Sequence, residues 1–180
     1  MNNILTNSKH LPYISVVLLF IVSLLLGSYL MLADAGALSR SQTSTLVSDV
    51  TAYENALLKY KQTFGDYPQI EGEAACLGSS YAATTVFTSG VCFKNGYGYS
   101  ASINDYFTNE LKKVSPKLPN RSYQTVSGAY ISGPSIDSRG IMFQDDVDTL
   151  TYYLHSGQTC PKGVQSNLID INECMIALPQ

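Results

Sequence analysis

Apolar and polar positions divide this chain into two regimes. From Leu11 to Ala33 the stretch LPYISVVLLFIVSLLLGSYLMLA holds no charged residue, and about 20 apolar residues in a helix suffice to cross the hydrocarbon core of a bilayer. Pro12 stands in the first turn, where its missing N–H does little harm. Tyr13 and Tyr29 lie near the two ends, where amphipathic rings favour the membrane interface. A transmembrane helix over 11–33 is predicted, preceded by a cytoplasmic tail, residues 1–10. Lys9, His10 and the amino terminus precede the span and Asp34 follows it, which orients the N-terminus toward the cytoplasm. Ala33-Asp34-Ala35 also has the small-x-small form that a signal peptidase reads, so cleavage after Ala35 is the alternative. In both cases the rest of the chain lies outside the cytoplasm.

Beyond the span the period becomes that of an amphipathic helix. Leu46, Val50, Tyr53, Leu57, Tyr60 and Phe64 follow one another in steps of four and three and draw a single stripe, while Asp49, Glu54, Asn55, Lys59, Lys61 and Gln62 fall away from it. A stem helix over 34–64 is predicted, weak between Ala35 and Thr45 where Gly, Ser and Thr dominate, with its stripe packed on the domain's own sheet. Gly65 suits the left-handed residue after a helix, and Pro68 prevents resumption. Residues 65–180 then form an extracytoplasmic globular domain. Cys76 and Cys92 bracket a Gly-, Ser- and Thr-rich loop, and Ile103 to Val114 has helical spacing ended by Pro116. Ala129 to Ser132, Gly140 to Phe143 and Leu150 to Leu154 read as strands, with turns at Gly133-Pro134 and at Asp145-Asp146-Val147-Asp148. The expected fold class is α+β: a long N-terminal transmembrane-plus-stem helix packed on a small, disulfide-bearing antiparallel sheet of three strands.

Composition narrows the function. A net charge of -3 without a basic cluster argues against nucleic acid. With 13 Tyr, no Trp and few charges, the chain has the make-up of an extracellular β-rich surface. Cys76, Cys92, Cys160 and Cys174 are even in number and on the exported side, which implies disulfides. Four cysteines allow three pairings. The two sequence-local pairs close loops of about 15 residues, worth about 3 kcal/mol each, and are the expected ones; a zinc site would present tighter C-x-x-C steps.

The stretch from Asp49 to Pro68, DVTAYENALLKYKQTFGDYP, resembles the major pseudopilins of type II secretion and the related type IV pilins. The residues that carry the resemblance are Glu54, Asn55, Ala56, Leu57, Tyr60, Gly65, Tyr67 and Pro68, and with the preceding apolar helix they cover roughly residues 11 to 68. The likeness implies a pilin-like fold, a structural role and contacts with other pilin-like subunits through the N-terminal helix. Pilin precursors carry a basic leader ending in Gly and an acid just inside the apolar helix; here NNILTNSKHLPY has no Gly and the span no acid. Cleavage by a prepilin peptidase is therefore not expected.

Reactive chemistry is sparse. Asp145, Asp146 and Asp148 form the best constellation for a hard cation, and the resemblance implies calcium in a C-terminal loop, but the pattern is not that of an EF-hand and a solvated turn is the expected role. No cofactor is assigned. His10 lies across the membrane from the domain, and His155 closes a strand without a nucleophile elbow nearby. Asn120-Arg121-Ser122 fits a glycosylation sequon and implies only exposure. The expected role is a structural subunit of a type IV pilus or type II secretion-type assembly, anchored by its N-terminal helix. The alternative is a membrane-tethered ligand-binding or sensory ectodomain that never polymerises. An enzyme is not expected.

Overall fold

A computed structural model describes residues 21–22, 41–70, 72, 74–78, 81–95, 98, 100–121, 123, 126–129, 135–154, 158–166 and 173–180. The chain divides into two compact units, Met1–Ser41 and Gln42–Gln180. Of the first, only Ile21, Val22 and Ser41 are described, all helical.

The second unit opens with α1, helical over 42–64. Ala56, Leu57 and Leu58 are strong helix formers, and Thr51 and Thr63 return their hydroxyls to the carbonyls of Val47 (3.0 Å) and Lys59 (2.8 Å) one turn back. The helix stops because Gly65 takes φ +91° and its N–H reaches Lys61 O at 2.7 Å, a left-handed end that only glycine adopts without strain. The second helix, α2 (Asp105–Val114), starts at Asn104, whose side chain accepts from Phe107 N at 3.0 Å. Asp105 in its first turn and Lys112 and Lys113 in its last complement the helix dipole.

Among the described residues nine strands form one sheet: β1 (Ala74–Leu77), β2 (Val91–Asn95), β3 (Ser100–Ile103), β4 (Val126–Ala129), β5 (Ser135–Ser138), β6 (Ile141–Gln144), β7 (Thr149–Tyr153), β8 (Gln165–Ser166) and β9 (Glu173–Ala177). Their order is β4-β5-β2-β3-β1-β6-β7-β9-β8. β1 and β3 run parallel, and every other neighbouring pair is antiparallel.

The two-residue period of the strands gives the sheet two apolar faces. Ala75 and Leu77 of β1, Ile141 and Phe143 of β6, and Leu150 and Tyr152 of β7 turn to one side, where Val50, Tyr53, Ala56, Leu57 and Tyr60 of α1 and Phe107, Leu111 and Val114 of α2 cover them. Cys76, Met142 and Tyr153, one residue out of phase, turn to the other side with Tyr81, Cys92, Phe93 and Ala101. All five residues of β7 are buried as a result. The disulfides join Cys76 to Cys92 and Cys160 to Cys174. The first ties β1 to β2 beneath the loop 81–90, and the second ties residue 160 to β9.

Several expectations are corrected. The fold class was to combine a transmembrane helix with a small sheet; within 11–33 only Ile21 and Val22 are described, the rest of that span lies outside the described residues, and among the described residues no helix is long and apolar enough to cross a membrane. The helix that is described carries Asp49, Glu54, Lys59 and Lys61 along its length and lies by its apolar stripe on a sheet. The single-pass anchor, and the localisation drawn from it, are therefore set aside; two disulfides fit an oxidising, extracytoplasmic compartment. Among the described residues the sheet has nine strands, not three. The helix expected over Ile103 to Val114 begins at Asp105, because Ile103 ends β3. The tail between Cys160 and Cys174, expected as a loop, supplies β8 and part of β9, and β9 inserts between β7 and β8. Phe64, expected in the buried stripe, is 53 % exposed: it sits at the last turn of α1, its ring tilted at 41° to that of Tyr60 with centroids 4.5 Å apart. Of the strand expected over Ala129 to Ser132 only Ala129 is described, as the last residue of β4, and residues 130–134 lie outside the described residues.

Candidate functional site

The motif residues of the stem converge at the C-terminal end of α1. Gly65 reverses the chain, the Asp66 carboxylate accepts from the backbone N–H of Tyr67 at 2.8 Å, and Tyr67 turns into the core against Phe143, ring centroids 5.7 Å apart. Its hydroxyl donates to Pro179 O at 2.8 Å, as does Lys61 Nζ at 2.8 Å, and Lys61 lies 4.4 Å from the Tyr67 ring centroid. Pro68 is buried beside it. Helix end and C-terminal tail are thus clasped by one aromatic residue. Glu54 lies on α1 close enough to Tyr152 of β7 that its charge, after burial, helps push that phenol up to about 12.

A second set of contacts fastens α2 and the segment after it to the stem. Tyr60 donates to Glu110 Oε2 at 2.7 Å, and Lys113 pairs with the other carboxylate oxygen. Lys113, then Tyr60, hold the Glu110 carboxyl below its ordinary range, while burial and this hydrogen bond push the Tyr60 phenol up to about 12. One helical face further back, Asp49 accepts from Tyr123 Oη at 2.7 Å and faces Arg121 Nε at 3.4 Å. Tyr53 donates to Pro119 O. Burial, then Asp49, raise the phenols of Tyr53 and Tyr123. Phenols held protonated and carboxylates already engaged offer neither a base nor a nucleophile near neutral pH. They act as struts.

The acidic turn lies next to the motif. Asp145 and Asp146 are exposed and Asp148 is half-buried. Burial raises the Asp145 carboxyl, and so do the charges of Asp148, Asp66 and Asp146. Asp148 adopts φ +46°, and its carbonyl accepts from Leu178 N at 2.8 Å. Among the described residues no group of three or more His, Cys, Asp or Glu is disposed to hold a metal ion. The three aspartates share a turn without converging on a point. His155 and His10 lie outside the described residues.

Sequence reasoning missed the residue that organises the far face. Arg139, between β5 and β6, is 4 % exposed. Its Nε donates to Val91 O (2.9 Å), Nη2 to Thr88 O (3.2 Å) and Nη1 to Ala82 O. The guanidinium carbon lies 4.6 Å from the Phe87 ring centroid and 5.4 Å from that of Tyr81. Burial lowers its affinity for the proton, but three carbonyls and two ring faces take the place of water. Gly140 follows because the backbone comes so close that a Cβ there would lie 2.4 Å from Tyr81 Oη and 2.9 Å from Cys92 Cβ. The signal in the sequence was only an Arg-Gly pair ahead of a strand, which is too common to read.

Comparison of the chain with protein-family models, with curated proteins and with solved structures found no match.

Proposed function

We propose that this chain is a pilin-like structural subunit, built to be packed among similar subunits and not to turn over a substrate. One observation carries the reading: the helix that holds Glu54, Asn55, Ala56 and Leu57 lies by its stripe on the sheet and ends in a Gly65-Asp66-Tyr67-Pro68 turn locked into the core. That arrangement makes α1 a rigid spine under a disulfide-closed head, and a spine with one face committed to its own sheet leaves Asn55, Lys59 and Gln62 outside. The tyrosine and carboxylate pairs around the spine support the same role, since they fasten elements together and leave no reactive group poised.

The test is to shear the surface of producing cells and examine the released material with an antibody to the folded head. A subunit is expected in high-molecular-weight material that dissociates into single chains in denaturant. Recovery of the chain only as a free monomer, under conditions where the cells assemble surface fibres, would contradict the proposal.

A further inference from the structure

The outer side chains of the second unit are sorted by charge. Among the described residues its exposed acids are Asp66, Asp105, Asp145 and Asp146, and all four stand around the C-terminal end of α1. Asp66 follows Gly65 directly, and its charge reaches Asp145 in the turn 145–148. Asp105 opens α2 next to Tyr106, which lies close enough to Tyr60 to act on its phenol. The same end carries the large apolar side chains that this unit leaves more than half exposed, Phe64, Tyr106 and Val147. Phe64 lies against Tyr60, Tyr106 follows Asp105, and Val147 stands between Asp146 and Asp148. Apolar side chains scattered singly over a surface need no explanation, whereas three gathered at one end mark a contact surface.

The cations stand elsewhere. Lys112 and Lys113 lie in the last turn of α2, and Lys117 and Arg121 follow in the next segment, all four exposed. Lys113 pairs with Glu110 and Arg121 reaches Asp49, while Lys112 and Lys117 make no ion pair among the described residues. Lys61, near the acidic end, is turned to Pro179 O and the Tyr67 ring. With ten residues, α2 is about 15 Å long, more than the Debye length of about 8 Å at physiological salt. The basic band at its far end therefore leaves the acidic pole unneutralised. The helix dipole accounts for Asp105, Lys112 and Lys113, but Asp66, Asp145, Asp146, Lys117 and Arg121 lie outside α2.

We infer that the pole of one copy docks on the basic band of a second copy, with Phe64, Tyr106 and Val147 at the dry centre of the contact and the carboxylates around them facing Lys112, Lys117 and Arg121. The inference rests on the subunit reading and names the surfaces by which subunits meet. Charge complementarity selects the occupant, since an acidic surface is steered toward a basic one and repels its own kind, and this chain carries both. The two surfaces are different, so the contact is heterologous; each copy keeps a pole or a band free, and the contact repeats from copy to copy.

The test is sedimentation velocity of the full chain, disulfides intact, in a mild non-ionic detergent that masks the apolar run 11–33. Species larger than a dimer are expected to grow with concentration at about 0.01 M salt, where the Debye length is about 30 Å, and to dissociate at about 1 M, where it is about 3 Å. Asp146→Lys and Lys117→Glu, each at an exposed position, are expected to keep the wild-type Tm and to weaken association by about tenfold or more. Mixed one to one they associate again, because the pole intact in Lys117→Glu meets the band intact in Asp146→Lys. Tyr106→Ser changes no charge and is expected to weaken association about tenfold. Association that salt leaves unchanged or strengthens, or that stops at the dimer, would overturn the inference, as would a mixture that stays dissociated. Loss in Asp146→Lys without loss in Lys117→Glu would overturn it too, by giving the pole to a partner other than this chain. In the sheared surface material, variants that enter large assemblies as wild type does would overturn this contact and leave the subunit reading standing, whereas wild type recovered only as free monomer would sink that reading.

Discussion

Replacing Arg139 by Met removes the guanidinium from the far face of the sheet while keeping much of its length. Three carbonyls, those of Ala82, Thr88 and Val91, lose their donor, and a buried acceptor left unsatisfied costs about 1–3 kcal/mol. The contact of the cation with Phe87 and Tyr81 adds up to about 2 kcal/mol where water is excluded. Against this stands the cost of burying an ion, several kcal/mol, which the methionine avoids, and partial rehydration of a loop that is free to open. The net expectation is a loss of about 3 kcal/mol, or a fall in Tm of about 6–12 °C for a domain of this size. The assay is guanidinium unfolding with the disulfides intact, paired with limited proteolysis of residues 81–91, which the variant should expose while Cys76–Cys92 still holds the loop's ends. Arg139→Lys keeps the charge but not the fork of donors and should recover less than half of the loss. A methionine variant within about 1 kcal/mol of wild type, or a lysine variant equal to it, would refute the view that the guanidinium cage holds this loop.

Other expectations follow from the same contacts. Leu57, fully buried where α1 meets the sheet, should cost about 2–5 kcal/mol when changed to Ala, measurable as a lower denaturant midpoint with an unchanged slope. Gly140→Ala should cost about 1–3 kcal/mol by overpacking, because the close atoms belong to Tyr81, whose hydroxyl is bonded to Leu77 O at 2.6 Å, and to the disulfide-bound Cys92. The Asp145 carboxyl is raised in the fold by burial and by Asp148, Asp66 and Asp146. Its contribution to stability is therefore intact below the unfolded value and lost as pH rises through the folded one. Asp145→Asn should then be more stable than wild type near neutral pH, by less than about 1 kcal/mol since the group is exposed and screened, and indistinguishable from it in acid; the reverse order would show that the turn gains from its charge.

What the sequence by itself determined is local. The steps of four and three from Leu46 to Tyr60, closed by Gly65 and Pro68, are enough to place α1 and its buried face, because a helix repeats every 3.6 residues and its end is marked by a residue able to turn left-handed. The second helix is readable for the same reason, and two disulfides between sequence neighbours need no knowledge of the fold. The sheet is different. Its strands are two to five residues long, too short for a period to stand out, and their neighbours come from distant parts of the chain: β9 separates β7 from β8, and β1 lies between β3 and β6. No local pattern encodes such an order, which is settled by which apolar faces α1, α2 and the disulfide loop can cover together. Phe64 shows the limit within a helix, since its place in the stripe is written in the sequence but its exposure is decided by what the fold sets against it. Arg139 shows it for a charge: surrounded by residues 48 to 58 positions away in the chain, it becomes a buried anchor only when the tertiary fold brings three carbonyls and two rings around it, because a cation leaves water only where other dipoles replace it.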